Sequence, residues 1–172
     1  MYITISQIIK ELAKTLKDDL RDYDINIICS DTASPEMQKD YIFISCQGID
    51  NIRFGMNEVE EEIRINVACY LYALSLGTTM RPEFLAIEIL EAIKLAVCDM
   101  NHPFRQWMTQ NGMGWLLVEN IDLVPSQGDE RIAVMPMIIT RKLANVYDVP
   151  IGEIVKTLLS ADNEIADEAT IT

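Results

Sequence analysis

The chain has 172 residues, 49% of them hydrophobic and 24% charged, the length and balance of one globular domain able to bury a core. Its 27 acids outnumber 14 bases for a formal charge of −13, and no run of bases carries interleaved aromatics. Direct binding of nucleic acid, which needs Lys and Arg to neutralise phosphates, is therefore not expected. An acidic lining would instead let a duplex slide past without sticking, or the acids serve solubility alone.

The first element is a helix. Thr4 and Gln7 have capping-box spacing, Ile3 and Ile8 stand where a hydrophobic staple closes, and Ile5, Ile8, Ile9, Leu12, Leu16 and Leu20 form one apolar stripe. Lys10, Lys14, Lys17 and Asp18 fall on its other faces. Residues 25–29 are short and β-branched and predict a strand; residues 30–40 read as a loop. Residues 41–46 predict a second strand, apolar on both faces and so central. Gly48, Asp50, Asn51, Gly55 and Asn57 give residues 48–57 the composition of a turn region, in which Arg53 and Phe54 stand out.

Residues 58–74 carry the clearest strand pattern. Ile63, Ile65, Val67, Cys69 and Leu71 alternate with Glu62, Arg64, Asn66, Ala68, Tyr70 and Tyr72. So long a strand would project beyond the body, since strands average about 5–6 residues. Pro82 suits the first position of a helix reaching about residue 100. Phe84, Ile87, Leu90, Ile93 and Val97 make its core stripe, widened by Ala86, Ile89 and Ala96, with Glu83, Glu88, Glu91 and Lys94 outside. Residues 101–103 end it, and 103–114 read as a loop. Strands at 115–124 and 131–141 follow, joined by a turn at 125–130. Pro136 lacks a backbone donor, which predicts an edge position or a bulge. Residues 1–143 thus read as one α+β domain, with 144–172 an extension holding a short helix at 151–159 and an acidic tail.

No arrangement in this chain carries a recognisable chemistry. Cys29, Cys46, Cys69 and Cys98 are widely spaced without a CxxC pair, and His102 is the only histidine, so no zinc site is expected. The cysteines read as small buried hydrophobes of a reducing compartment. His102 has no evident partner to orient it, no serine sits in a nucleophile elbow, and the glycines form neither phosphate-binding loop. Glu58, Glu60 and Glu62 share one strand face. Three like charges in a row ask for a cation, a solvated end or basic residues of a neighbouring subunit, the last being preferred over a metal. No cofactor is expected. No apolar run approaches the ~20 residues of a membrane span, and no leader pattern opens the chain, so a soluble, cytoplasmic protein is expected.

The order of elements resembles the tail terminator, or tail completion, proteins of long-tailed bacteriophages, the group that includes minor tail protein U. The resemblance is carried by the amphipathic opening from Ile5 to Leu20, the strand from Glu62 to Tyr72, the helix from Phe84 to Val97 and the hairpin around Gly128 and Asp129. It spans roughly residues 1–143 and is one of order and size, without a sequence motif; the extension from Ala144 has no obvious counterpart. It implies a non-enzymatic virion protein that forms a homohexameric ring on the finished tail tube, stops polymerisation and offers the surface that joins the head. Its partners would be its own copies, the tail tube protein and a head-connector protein. It would assemble in the host cytoplasm and reside in the virion tail, DNA passing through an acidic lumen without sequence-specific binding. The expected fold is two helices on one face of a mostly antiparallel sheet, in the order α-β-β-β-α-β-β. Copies would close a ring by heterologous contacts. The expected contact regions are residues 48–62, with Arg53, Phe54, Glu58, Glu60 and Glu62, and the polar face of the long strand, with Arg64, Tyr70 and Tyr72. The rival readings are a small-molecule-binding domain or enzyme with a pocket between helix and sheet, and an acidic interaction or adaptor protein unrelated to phage.

Overall fold

The structure, a computed structural model, describes residues 3–21, 23, 25–29, 40–54, 58–72, 81–125 and 130–144, with backbone alone at 51–54, 58, 130 and 144. Helix α1 (Ile5–Asp19) starts as its sequence dictates. The Gln7 amide donates to Thr4 Oγ1 at 3.2 Å and the Thr4 amide to Gln7 Oε1 at 2.8 Å, which closes the capping box. Ile8, Ile9, Leu12, Ala13 and Leu16 then turn inward as one stripe.

Strands β1 (Asn26–Cys29), β2 (Tyr41–Phe54) and β3 (Glu58–Tyr72) follow. After them come helices α2 (Pro82–Cys98) and α3 (Pro103–Gln110), then β4 (Met113–Val118), β5 (Asp122–Val124) and β6 (Glu130–Ala144). The strands form one sheet in the order β1-β2-β3-β6-β4, with β5 also on β6. Only β1 and β2 run parallel; every other pair is antiparallel. The α+β class and the largely antiparallel sheet agree with the sequence reading, and β2 is interior as its two apolar faces require.

Side-chain parity places the core. Ile42 and Ile44 of β2, Ile63, Ile65, Val67, Cys69 and Leu71 of β3, and Ala133, Met135, Met137 and Ile139 of β6 all point to one face and are buried with the helices. The described helices share that face: α1 over β1 and β2, α2 over β3, β6 and β4, and α3 against β4. No described helix is long and apolar enough to cross a membrane.

Five expectations are corrected. Among the described residues three helices occupy the face, where two were expected. The extra one, α3, lies in the segment read as a loop: Pro103, taken as the end of α2, stands at the first position of a new helix. His102 caps it, and Phe104 and Met108 are buried one turn apart. Residues 48–54 are strand, because their turn-type residues are used at two irregularities between Cys46 and Gly48 and between Asn51 and Arg53, where β2 bulges without leaving β3. Residues 115–124 form two strands, and the cause lies on another strand.

Pro136 is neither on an edge strand nor in a bulge of β6, which pairs without a shift along all of β3. The Pro136 carbonyl accepts from the Glu119 amide at 2.9 Å, on the side where β4 and β5 lie. A proline cannot donate back, so the ladder breaks there and the chain crosses from β4 to β5 at the gap. The fifth correction concerns Phe84. It is 61% exposed, and the buried stripe of α2 is Ala86, Ile89, Leu90, Ile93 and Val97. Apolar residues surround α2 on most sides, so periodicity alone did not fix which side faces the sheet. The expected helix at 151–159, the acidic tail and the turn at 126–129 lie outside the described residues.

Candidate assembly surfaces

One end of the sheet lies at the entry to α1. Its deepest inner-face residues at this end are Ile63, Ile139 and Arg141, and Arg141 Nη1 donates to the Ile3 carbonyl just before α1 begins. Beyond that level β2, β3 and β6 continue together through Asn51–Phe54, Glu58–Glu60 and Lys142–Ala144. The region read as a contact loop is therefore a paired ribbon.

The pairing also brings bases beside one member of the glutamate row. Glu60 lies between Arg53 on β2 and Lys142 on β6 in the backbone register. Glu62 lies between Asp50 and Thr140, and the exposed Arg64 reaches Asp50 at 2.8 Å on the same face. Glu61, on the opposite face, accepts from Arg141 Nε at 2.7 Å, a pair almost wholly buried, with Arg141 4% exposed. Glu60 thus has basic residues on both neighbouring strands, while Glu62 has none directly across from it. Arg53, Phe54 and Glu58 are positioned by backbone alone; Glu60, Glu62, Arg64, Tyr70 and Tyr72 share the outer face of β3.

Tyr70 does not stand out as a free anchor. Its ring stacks on Tyr41 with centroids 4.5 Å apart and planes 8° from parallel. Both it and Tyr72 are half-buried, and the Tyr72 amide donates to Asp40 Oδ1 at 2.8 Å. Aromatic packing on Tyr41 accounts for Tyr70. The large apolar side chains that do stand exposed were missed by sequence reasoning: Phe84 and Leu95 on α2, and Trp115, Leu117, Leu123 and Val124 on β4 and β5. In a sequence they resemble core residues, and only the topology shows them outside.

His102 and Cys69, two groups that could carry chemistry, are engaged or buried. His102 Nε2 donates to Asp19 Oδ2 at 2.8 Å, and its Nδ1 accepts the Phe104 amide at 3.3 Å, capping α3. A general base or ligand needs a ring nitrogen to spare, and this buried imidazole has none. The Cys69 thiol is pushed up to about 12, first by burial and then by the nearby charge of Asp40, which leaves it un-ionised and inert. Glu83, at the start of α2, is held below its ordinary 4.5 by its own backbone amide and then by Arg131, whose Nε lies 2.7 Å away. Among the described residues no three His, Cys, Asp or Glu side chains group to hold a metal. No protein-family model and no curated protein matches this chain.

Proposed function

We propose that this chain is a structural protein of a long-tailed phage or prophage that closes the finished tail tube. Copies assemble as a ring, most simply a hexamer, on the last layer of tube protein. There they stop polymerisation and present the surface to which a head-connector protein attaches. The protein acts as a non-enzymatic, cofactor-free part, assembled in the host cytoplasm and retained in the virion tail.

One observation carries this reading: a helix, three strands, further helices and a closing set of strands build one sheet whose three longest strands pair with one another along their length. That order, with α3 added and the penultimate strand split, is the one on which the resemblance to tail terminators rests. A long paired ribbon suits contact between copies or with a tube. The charge of −13 suits a lumen through which DNA slides, because like charge prevents sticking. The occupied histidine and inert Cys69 favour this reading over an enzyme. Fold order alone does not assign function, so the reading is tested directly.

The test adds the purified protein to tail tube protein from the same genome while the tube protein polymerises. Growth should stop in proportion to added protein, and electron microscopy should find a ring of six at one tube end. Tubes that lengthen at an unchanged rate with bare ends would refute it.

A further inference from the structure

The side of the sheet away from α1, α2 and α3 is apolar over part of its length, and no described helix lies on it. On β6 the residues of this face are Ile132, Val134, Pro136 and Ile138. Ala68 and Phe43 continue the Val134 row across β3 and β2. Leu117, 47% exposed, flanks Ile138, and Val124, 40% exposed, flanks Ile132. Ser45 and Asn66 are the polar pair level with Pro136, and Asp122 stands at the margin beside Val134. Past Ile138 the same face turns polar, with Glu62 and Thr140 in register and then Glu60 and Lys142. A soluble chain does not leave so apolar a sheet face to water, so it asks for a cover.

We propose that residues 151–159 of the same chain, folded as a helix, lie on this face. Ile151, Ile154, Val155, Leu158 and Leu159 fall on one side at helical spacing, with Gly152, Glu153, Lys156 and Thr157 on the other. Pro150 stands just before the stripe, as Pro82 and Pro103 stand at the start of α2 and α3. So short a helix is stable in water only when its apolar side is packed, and the other face of the sheet is already filled by α1, α2 and α3. The lengths agree. β6 ends at Ala144, and Ile138 lies six positions back, about 20 Å along the strand. Residues 145–150 span at most about 20 Å, so a chain that reverses after Ala144 brings Ile151 near the level of Ile138. As a helix, residues 151–159 run about 13 Å, the distance from Ile138 to Val134 at about 3.3 Å a residue. The segment thus covers the apolar part and leaves the charged part open. A tether this short holds it at about millimolar effective concentration, which favours its own face over that of a second copy at micromolar concentration. The inference goes beyond the tail-cap reading and does not depend on it.

The test replaces Leu158 in the full chain by the photo-cross-linking amino acid p-benzoylphenylalanine. Equal amounts of ordinary and heavy-nitrogen-labelled copies are mixed at micromolar concentration, irradiated and read by mass spectrometry. Cross-links should reach Phe43, Ala68 or Val134 and join peptides of the same label. The same group at Glu153, on the polar side of the helix, should give about ten-fold fewer. Links to residues of the other face such as Ile89 or Met135, or no links at all, overturn the proposal. Links that join light to heavy chains give the face to a second copy and overturn it as well. A second measurement uses Ile154→Asp/Leu158→Asp, with circular dichroism to establish that the chain folds. Its freed sheet face should bind a dye of apolar surfaces about three-fold more strongly than the natural chain does. Equal dye binding by the two chains would mean that residues 151–159 cover nothing there.

Discussion

Cys69 and Cys98 show how far burial divides chemically identical groups. Cys98 is exposed at the end of α2, and Cys69 lies wholly inside the sheet's core. With the Cys69 thiol pushed up to about 12, thiol reagents at pH 8 should modify Cys98 readily and reach Cys69 only when the chain unfolds. The same shift has a sign for stability. From pH 9.0 upward the unfolded chain releases the Cys69 proton while the folded chain keeps it, so stability falls as pH rises toward about 12. Chemical denaturation in steps from pH 8 to about 10.5 should show a shallower decline for Cys69→Ala than for the natural chain; equal slopes would assign the alkaline loss to other groups. The sequence disclosed that the cysteines were apolar-flanked and unpaired, yet it graded them alike. Their difference depends on strand parity in one case and on the outward side of a helix in the other. His102 likewise showed no partner in sequence because Asp19 lies on another helix, 83 positions away.

At the scale of elements, local signals succeeded where the cause was local. The capping box of α1 and the alternation of β3 were read from neighbouring residues, and both elements form as read. The failures have distant causes. Gly48 and Asn51 look like turn residues until β3 pairs beside them and turns their freedom into bulges. The break between β4 and β5 is imposed by Pro136 across the ladder. The outer-face positions of Glu60, Glu62, Arg64, Tyr70 and Tyr72 follow from the two-residue period, but their neighbours Arg53, Lys142 and Asp50 follow only from register. Arg141 is the clearest case. It pairs with Glu61 on the inner face and also donates to the Ile3 carbonyl, joining β3, β6 and the entry to α1. Glu61→Ala leaves that buried guanidinium without its carboxylate and should cost about 3–5 kcal/mol. Urea denaturation measures this, and a loss below about 1 kcal/mol would mean that water reaches Arg141 freely.

For the whole molecule, the centre of the sheet is also its least local part. β3 sits in the middle, joined to β2 by a few residues but to β6 only by register partners such as Tyr72 and Glu130 or Glu58 and Ala144. Helices α2 and α3 and two strands lie between these halves in sequence. A contact closed over so long a loop is penalised in entropy before it is rewarded, which slows folding. The β2–β3 ribbon should form early and β6 should dock late. Pulse-labelling hydrogen exchange during refolding should protect the Ser45 and Asn66 amides, which face each other across β2 and β3, before those of Met135 and Ile139; simultaneous protection would contradict this order. The apolar row of β3 from Ile63 to Leu71 therefore waits without its β6 neighbour until the chain has been made to Ala144. During synthesis that interval is the protein's period of greatest risk, when an unpaired strand can join a sister chain rather than its own. The late strand that completes the fold also decides whether copies meet as finished subunits or as aggregates.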